Sequence, residues 1–114
     1  MKLTEKCKEE FEKWYKDNYR EYECYNCMDW DEFIPSMQIG VYIDYFDSVG
    51  VYINIDSDWT KNECVMDIYH YEISGEPIWE SSRSKELVMD TRTEARKAAI
   101  IKANEIRNKQ IEQQ

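Results

Sequence analysis

Four cysteines and one histidine are the residues of this chain best suited to hold a metal. Cys24 and Cys27 have the two-residue spacing of half a zinc site, and structural zinc takes four thiolate or imidazole ligands. The other two ligands would have to be Cys64 and His70, which do not form a paired motif. A zinc-stapled domain is therefore one hypothesis, and ordinary reduced thiols are the alternative.

Carboxylates are abundant in the middle of the chain, but their spacing fits no metal or catalytic motif. Asp56 and Asp58 open like a calcium loop, yet Thr60 and Lys61 stand where that loop needs an oxygen ligand and a glycine. There is no second histidine for an acid–base pair, no serine in a hydrolase motif and no glycine-rich phosphate loop. The sequence predicts a protein that is not an enzyme and uses no cofactor.

Charge is distributed unevenly over the 114 residues, whose net charge is −9. Residues 1–22 hold six basic and six acidic groups, so this part is neutral. Residues 23–80 hold thirteen acidic groups and one lysine, a net of −12, and residues 81–114 hold eight basic and five acidic groups, a net of +3. An acidic body repels phosphates, which argues against nucleic acid. It favours a partner protein with a basic surface.

The candidate contact surface is the acidic block at residues 23–80. Its predicted binding residues are Asp44, Asp47, Asp56, Asp58 and Glu63. A solvated acidic surface without a partner is the alternative. The basic C-terminal helix supplies another hypothesis, a small nucleic-acid-binding module. That helix superficially resembles the closing helix of double-stranded RNA-binding domains in the placement of Arg92, Arg96 and Lys97, but lacks the lysine-rich start of that family.

Composition predicts one soluble globular domain spanning residues 1–114. Aromatic residues make up 14% of the chain, and each can bury about 150–250 Å². The N-terminus has no apolar signal-peptide core, and no run approaches the roughly 18 apolar residues that a membrane span needs. We therefore expect a cytoplasmic protein, with no membrane association and with its thiols reduced.

Amphipathic helices are predicted at both ends of the chain. The first extends from a Thr4 N-cap to about Tyr22, because its apolar side chains recur every three or four residues. Thr91 and Glu94 fit a capping box at the start of the last helix, which runs to about Asn108. A stripe of alanines on that helix would let it lie close to a sheet.

Antiparallel strands are predicted between these helices. One strand covers Val51–Asp56, a polar turn covers residues 57–62, and a second strand covers Cys64–Ile73. A short third strand begins at Ile78. The fold class is therefore α+β, with N- and C-terminal helices packed on a small antiparallel sheet.

Residues 37–49 admit two interpretations. Met37, Ile39 and Val41 alternate with other residues, as in the first strand of a hairpin. Tyr42, Tyr45, Phe46 and Val49 have helical spacing, with Ser36 as the N-cap and Gly50 just beyond the C-terminus of the helix. The sequence leaves strand and helix open.

The same stretch carries a resemblance to known proteins. MQIGVYIDYFDSVGVYI, followed by SRSKELVMDTRTEARKAAIIKANEI, is similar to small bacteriophage and prophage proteins with a GVYxDxFDSVG core and a C-terminal TEARxAAIxxANEI helix. The resemblance implies no established activity, and no functional residue carries over. It implies a phage context, in which small acidic proteins bind and block host or defence proteins, anti-CRISPR proteins among them. The expectation is a non-enzymatic accessory protein acting in the bacterial host cytoplasm.

Overall fold

The chain forms helices and a small antiparallel sheet. The computed structural model describes residues 2–19, 30–59, 67–83 and 89–114. The elements are α1 (Glu5–Tyr19), a 3-10 turn (Trp30–Glu32), α2 (Pro35–Ser48), β1 (Tyr52–Trp59), β2 (Asp67–Gly75), β3 (Ile78–Ser81) and α3 (Arg92–Glu112). The described strands form one antiparallel sheet in the order β1-β2-β3. The α+β fold class is confirmed. No helix in these ranges is long and apolar enough to cross a membrane.

Residues 37–49 form a helix, so the strand interpretation is wrong. α2 buries the residues with helical spacing, namely Ile39, Tyr42, Tyr45 and Phe46. Its N-cap position is held by Ile34 and not by Ser36, and Pro35 occupies the first turn. Proline fits there because its fixed φ suits a helix start and its missing N–H would have had no intrahelical partner. The helix is favoured because it places the rings of Tyr42, Tyr45 and Phe46 together on its buried side.

The C-terminus of α2 is closed by glycine, as predicted. Gly50 has a φ of 79°, and its N–H donates to the Asp47 carbonyl at 3.2 Å. The Val51 N–H donates to the Phe46 carbonyl at 2.9 Å. These two bonds form a Schellman motif, in which a left-handed residue satisfies the last carbonyls of the helix. The chain thereby enters β1 directly.

Gly75 is predicted to be the less replaceable of two turn glycines. It has a φ of 140° and lies against the Gly50 carbonyl oxygen, which an added Cβ would overlap. Gly50 also has positive φ but faces open space. We expect Gly75→Ala to lower the free energy of unfolding by about 2 kcal/mol and Gly50→Ala by about 1 kcal/mol, in urea titrations.

Gly40→Ala is the control for these glycine variants. Gly40 lies within α2 with nothing near its Cα, so alanine should raise stability by about 0.5–1 kcal/mol through helix propensity. Equal losses for Gly75→Ala and Gly50→Ala would contradict the close approach between the two turns.

The strand register gives the sheet an inner and an outer face. Ile53 lies opposite Ile73, and Ile55 lies opposite Tyr71. These four side chains belong to the hydrophobic core that α1, α2 and α3 share. Because side chains alternate along a strand, their neighbours in sequence point to the outer face. The helices α2 and α3 contact the sheet, and α1 packs on those two helices.

The last helix is capped and packed as predicted. The Thr91 hydroxyl accepts the Glu94 N–H at 3.1 Å. The Glu94 carboxylate accepts the N–H of Asp90, at 3.4 Å, one residue earlier than an ideal capping box requires. The alanine stripe is fully buried and consists of Ala95, Ala99 and Ala103.

Three predicted elements end short of the observed ones, and one of them is β2, which continues past Ile73 to Gly75. α3 continues past Asn108 to Glu112, since lysine, glutamine and glutamate are good helix formers despite their polarity. β1 includes Ser57 and reaches Trp59, because pairing with β2 continues where a polar turn was predicted. The predicted ends of the first helix at Tyr22 and of the second strand at Cys64 lie outside the described residues.

Candidate functional site

One cluster of ionisable groups in the described ranges joins the three helices. Arg107 on α3 donates from Nε to Glu10 Oε1 at 2.7 Å and from Nη2 to Glu10 Oε2 at 2.9 Å. The Tyr45 hydroxyl of α2 donates to the same Oε1 at 2.7 Å. The Cys7 sulfur lies 3.7 Å from the Tyr45 oxygen. We call these residues the interhelix network: Cys7, Glu10, Tyr45 and Arg107.

The pKa values of three groups in the interhelix network are shifted by their surroundings. The hydrogen bond from Arg107 holds the pKa of Glu10 below its usual value of 4.5. Burial raises the pKa of the Cys7 thiol to about 11. Burial, reinforced by the hydrogen bond to Glu10, raises the pKa of Tyr45. Glu10 is therefore ionised and paired while Cys7 stays a buried thiol, an arrangement that ties helices together.

Two asparagines of α3 complete this contact at the start of α1. The Thr4 N–H donates to Asn104 Oδ1 at 3.0 Å, and the Cys7 N–H donates to Asn108 Oδ1 at 2.7 Å. The Asn104 amide donates in return to the Thr4 hydroxyl at 3.0 Å. The first N–H groups of a helix have no intrahelical partner, and here another helix supplies the acceptors. Asn104 and Asn108 continue the four-residue spacing of the buried Ile100, but this spacing does not identify their partners on α1.

His70 is buried in β2 and contacts the residue that follows β3. It is 6% exposed, and its Nδ1 lies 3.3 Å from the hydroxyl of Ser82, which is fully buried. That hydroxyl accepts the Tyr71 N–H at 2.9 Å, and the Ser82 N–H donates to the Tyr71 carbonyl at 3.0 Å, so Ser82 holds the end of β3 against β2. The described residues contain no cluster of metal ligands around His70. The zinc hypothesis stays a prediction, because its other ligands lie outside the described residues: Cys24, Cys27 and Cys64.

The predicted acidic contact residues lie on two different elements, and their role as one contact surface stays a prediction. Asp44 and Asp47 are exposed on α2, on the helical side of the molecule. Partial burial, with the negative charge of Asp44 adding to it, raises the pKa of Asp47. Asp56 lies on the outer face of the sheet, because it follows the inward-facing Ile55 in β1. Asp58 belongs to the same strand, and Glu63 lies outside the described residues.

The outer face of the sheet exposes two large aromatic side chains. Tyr52, Ser74 and Trp79 lie opposite one another across the three strands, so the small serine separates the two rings. Tyr52 is 48% exposed and Trp79 is 68% exposed. Because neighbouring strands lie about 4.8 Å apart, the Cα atoms of the two aromatic residues are about 10 Å apart. A row of exposed rings on a flat sheet suits a protein contact.

Charged side chains border the aromatic pair. The Arg83 Nη1 lies 3.5 Å from Glu72 Oε1 and 4.0 Å from Asp56 Oδ2. One guanidinium thus serves two carboxylates, which leaves an excess of one negative charge. We call this surface the outer sheet face and define it by six residues: Tyr52, Asp56, Glu72, Ser74, Trp79 and Arg83.

Several basic residues of the C-terminal segment are engaged within the fold. The Arg92 guanidinium lies 5.6 Å from the centre of the Tyr69 ring. Lys102 Nζ lies 3.2 Å from the Glu105 carboxylate, and Arg107 is held in the interhelix network. A phosphate-binding stripe needs several available cations on one face of a helix. Of the three residues named for the nucleic-acid alternative, Arg92 is engaged in this way, and that alternative stays a prediction.

The fold and its surfaces define a small α+β protein with an aromatic and acidic sheet face. No protein family matches the chain, and neither a curated protein nor a solved structure is significantly similar to it.

Proposed function

We propose that this protein acts by binding another protein and is not an enzyme. The observation that carries the proposal is the outer sheet face, where Tyr52 and Trp79 are exposed beside two carboxylates. Trp and Tyr are enriched among the residues that dominate interface energies, because they bury a large area with few rotatable bonds. A fold selected for stability alone would gain more by burying these rings.

The proposed partner carries a basic surface. Residues 23–80 have a net charge of −12, and the outer sheet face has more carboxylates than guanidinium groups. Long-range attraction would speed encounter with a basic protein and would weaken with salt. The resemblance to phage proteins supports a host or defence protein as the partner, with inhibition in the manner of anti-CRISPR proteins as the outcome.

Affinity capture from a bacterial lysate tests the aromatic part of this proposal. We expect the double variant Tyr52→Ala/Trp79→Ala to capture at least about tenfold less partner than the wild type, since hot-spot truncations cost about 2 kcal/mol or more. The control variant removes exposed apolar side chains elsewhere, Met37→Ala/Ile101→Ala, from residues that are 45% and 51% exposed. Equal capture by all three proteins would end the proposal.

Charge reversal tests which acidic side is the contact surface. Asp56→Lys/Glu72→Lys alters the outer sheet face, and Asp44→Lys/Asp47→Lys makes the same change in net charge on α2. We expect the first variant to abolish salt-sensitive capture and the second to retain most of it. If only Asp44→Lys/Asp47→Lys abolished capture, the contact surface would lie on α2. Equal losses of capture for both variants would show that only the net charge of the protein matters.

A further inference from the structure

A cleft lies between α1, the 3-10 turn and α2, on the helical side of the molecule. Its volume is about 420 Å³, and the described residues lining it come from these three elements and from the two residues Lys2 and Leu3 before α1. Small-molecule sites usually have volumes of roughly 300–1,000 Å³ and an apolar floor with a few polar groups. We propose that this cleft binds a small planar aromatic anion, such as an aromatic carboxylate.

The apolar part of the cleft is built from four aromatic rings. The Trp30 ring lies 5.3 Å from Phe11, 5.5 Å from Tyr15 and 5.0 Å from Tyr42, measured between ring centres. All three contacts are edge-to-face, with interplanar angles of 63° to 76°. Phe11 and Tyr42 are buried, whereas Tyr15 and Trp30 keep part of their ring surface accessible. Rings locked by one another offer a rigid surface on which a flat ligand can stack.

The polar part of the cleft favours an anion. Three lysines line it, Lys2, Lys8 and Lys16, together with the carboxylates of Glu12 and Asp31. Lys8 Nζ lies 4.0 Å from Glu12, so this lysine is partly neutralised. Among the described lining residues, positive charges exceed negative ones by one, on a protein whose net charge is −9. This local reversal of sign would attract a carboxylate over the aromatic floor.

An aromatic floor alone would also suit a cation, which makes charge the deciding variable. Three probes of the same ring system separate the cases: 1-naphthoate, neutral 1-naphthalenemethanol and cationic 1-naphthylmethylammonium. Titration of the intact protein, followed by NMR shifts of the Trp30 indole, measures each dissociation constant. We expect naphthoate to bind about fivefold more tightly than the neutral probe, and the cation to bind most weakly.

A matched pair of α1 variants tests the lysine contribution. Lys16 lines the cleft, whereas Lys13 is an exposed lysine of the same helix that is not among the lining residues. Lys16→Glu should weaken naphthoate binding about fivefold and remove its advantage over the neutral probe. Lys13→Glu makes the same change in net charge and should weaken it less than about twofold.

Three results would overturn the proposal. The first is tighter binding of the cationic probe, the second is equal binding of the anionic and neutral probes, and the third is no saturable binding of naphthoate at millimolar concentration. Equal effects of Lys16→Glu and Lys13→Glu would also refute the assigned site. The outer sheet face is not involved, so Tyr52→Ala/Trp79→Ala should bind naphthoate like the wild type.

Discussion

Phe46→Ala is expected to lower the free energy of unfolding by about 4 kcal/mol, the largest effect of any single substitution considered. The Phe46 side chain is fully buried, and its ring centre lies 5.0 Å from that of Tyr45. Its carbonyl also accepts the bonds that end α2. Removing the ring would leave a cavity at the junction of the helices and the sheet, which rigid neighbours fill only in part. Urea denaturation followed by far-ultraviolet circular dichroism measures the loss.

Met37→Ala on the same helix is the control, because Met37 is 45% exposed. We expect its effect to stay within about 0.5 kcal/mol. The pair of variants also separates the helix from the strand that the sequence left open. In a strand, Met37 would share a face with Tyr45, whereas Phe46 would point to the opposite side. A large loss for Met37→Ala with a small loss for Phe46→Ala would contradict α2.

Arg107→Met is expected to lower the free energy of unfolding by about 3 kcal/mol. Methionine keeps most of the apolar stem but removes both hydrogen bonds to Glu10, whose carboxylate also binds Tyr45. The Arg107 side chain is only 12% exposed and that of Glu10 is 34% exposed. The partial exposure of Glu10 keeps the loss at the lower end of values for broken buried pairs. Chemical denaturation at pH 7 gives the difference.

The pH dependence of this difference has a definite sign. The pKa of Glu10 is lower in the folded protein than its usual value of 4.5, so the ion pair contributes stability above that pH and loses it as the pH falls. The difference in the free energy of unfolding between wild type and Arg107→Met should therefore become smaller below about pH 4.5. Lys102→Met, which removes the ion pair to Glu105 at 3.2 Å, should cost less than about 0.5 kcal/mol. Equal losses in the free energy of unfolding for both variants would show that the interhelix network stabilises the fold no more than an exposed ion pair.

Local patterns were sufficient to predict much of the fold. The capping box at Thr91, the glycine at the end of α2 and the alanine stripe of α3 all depend on residues close in sequence. The existence of the terminal helices and of the antiparallel strands followed in the same way. Only the state of residues 37–49 stayed open, because β-branched and aromatic residues there satisfy both periods over a short run.

The polar contacts between α1 and α3 could not be predicted, because their partners lie about a hundred residues apart. Thr4 and Asn104 are separated by 100 positions, and Glu10 and Arg107 by 97. Polar residues in a helix usually face solvent, so Asn104 suggested no buried acceptor. Three-dimensional packing of α1 on α3 creates these bonds, and no local pattern encodes them.

The candidate contact surface was only partly foreseen. Asp56 was chosen for its charge, and it does lie on the outer sheet face beside Arg83. Asp44 and Asp47 lie on α2 and Asp56 lies on β1, which their spacing in the sequence does not indicate. The exposure of Trp79 follows from β3 pairing, since its position opposite Ser74 is set by the register and not by hydrophobicity.

The most direct test of protein binding through the outer sheet face is site-specific photo-crosslinking. A photoreactive phenylalanine analogue replaces Trp79 in one protein and Ile101 of α3 in another, both exposed positions. After irradiation in a bacterial lysate, we expect a discrete adduct with a basic protein from position 79 and none from position 101. The yield of the adduct from position 79 should fall as salt is added. The same adducts from both positions, or no adduct from position 79, would contradict protein binding through the outer sheet face.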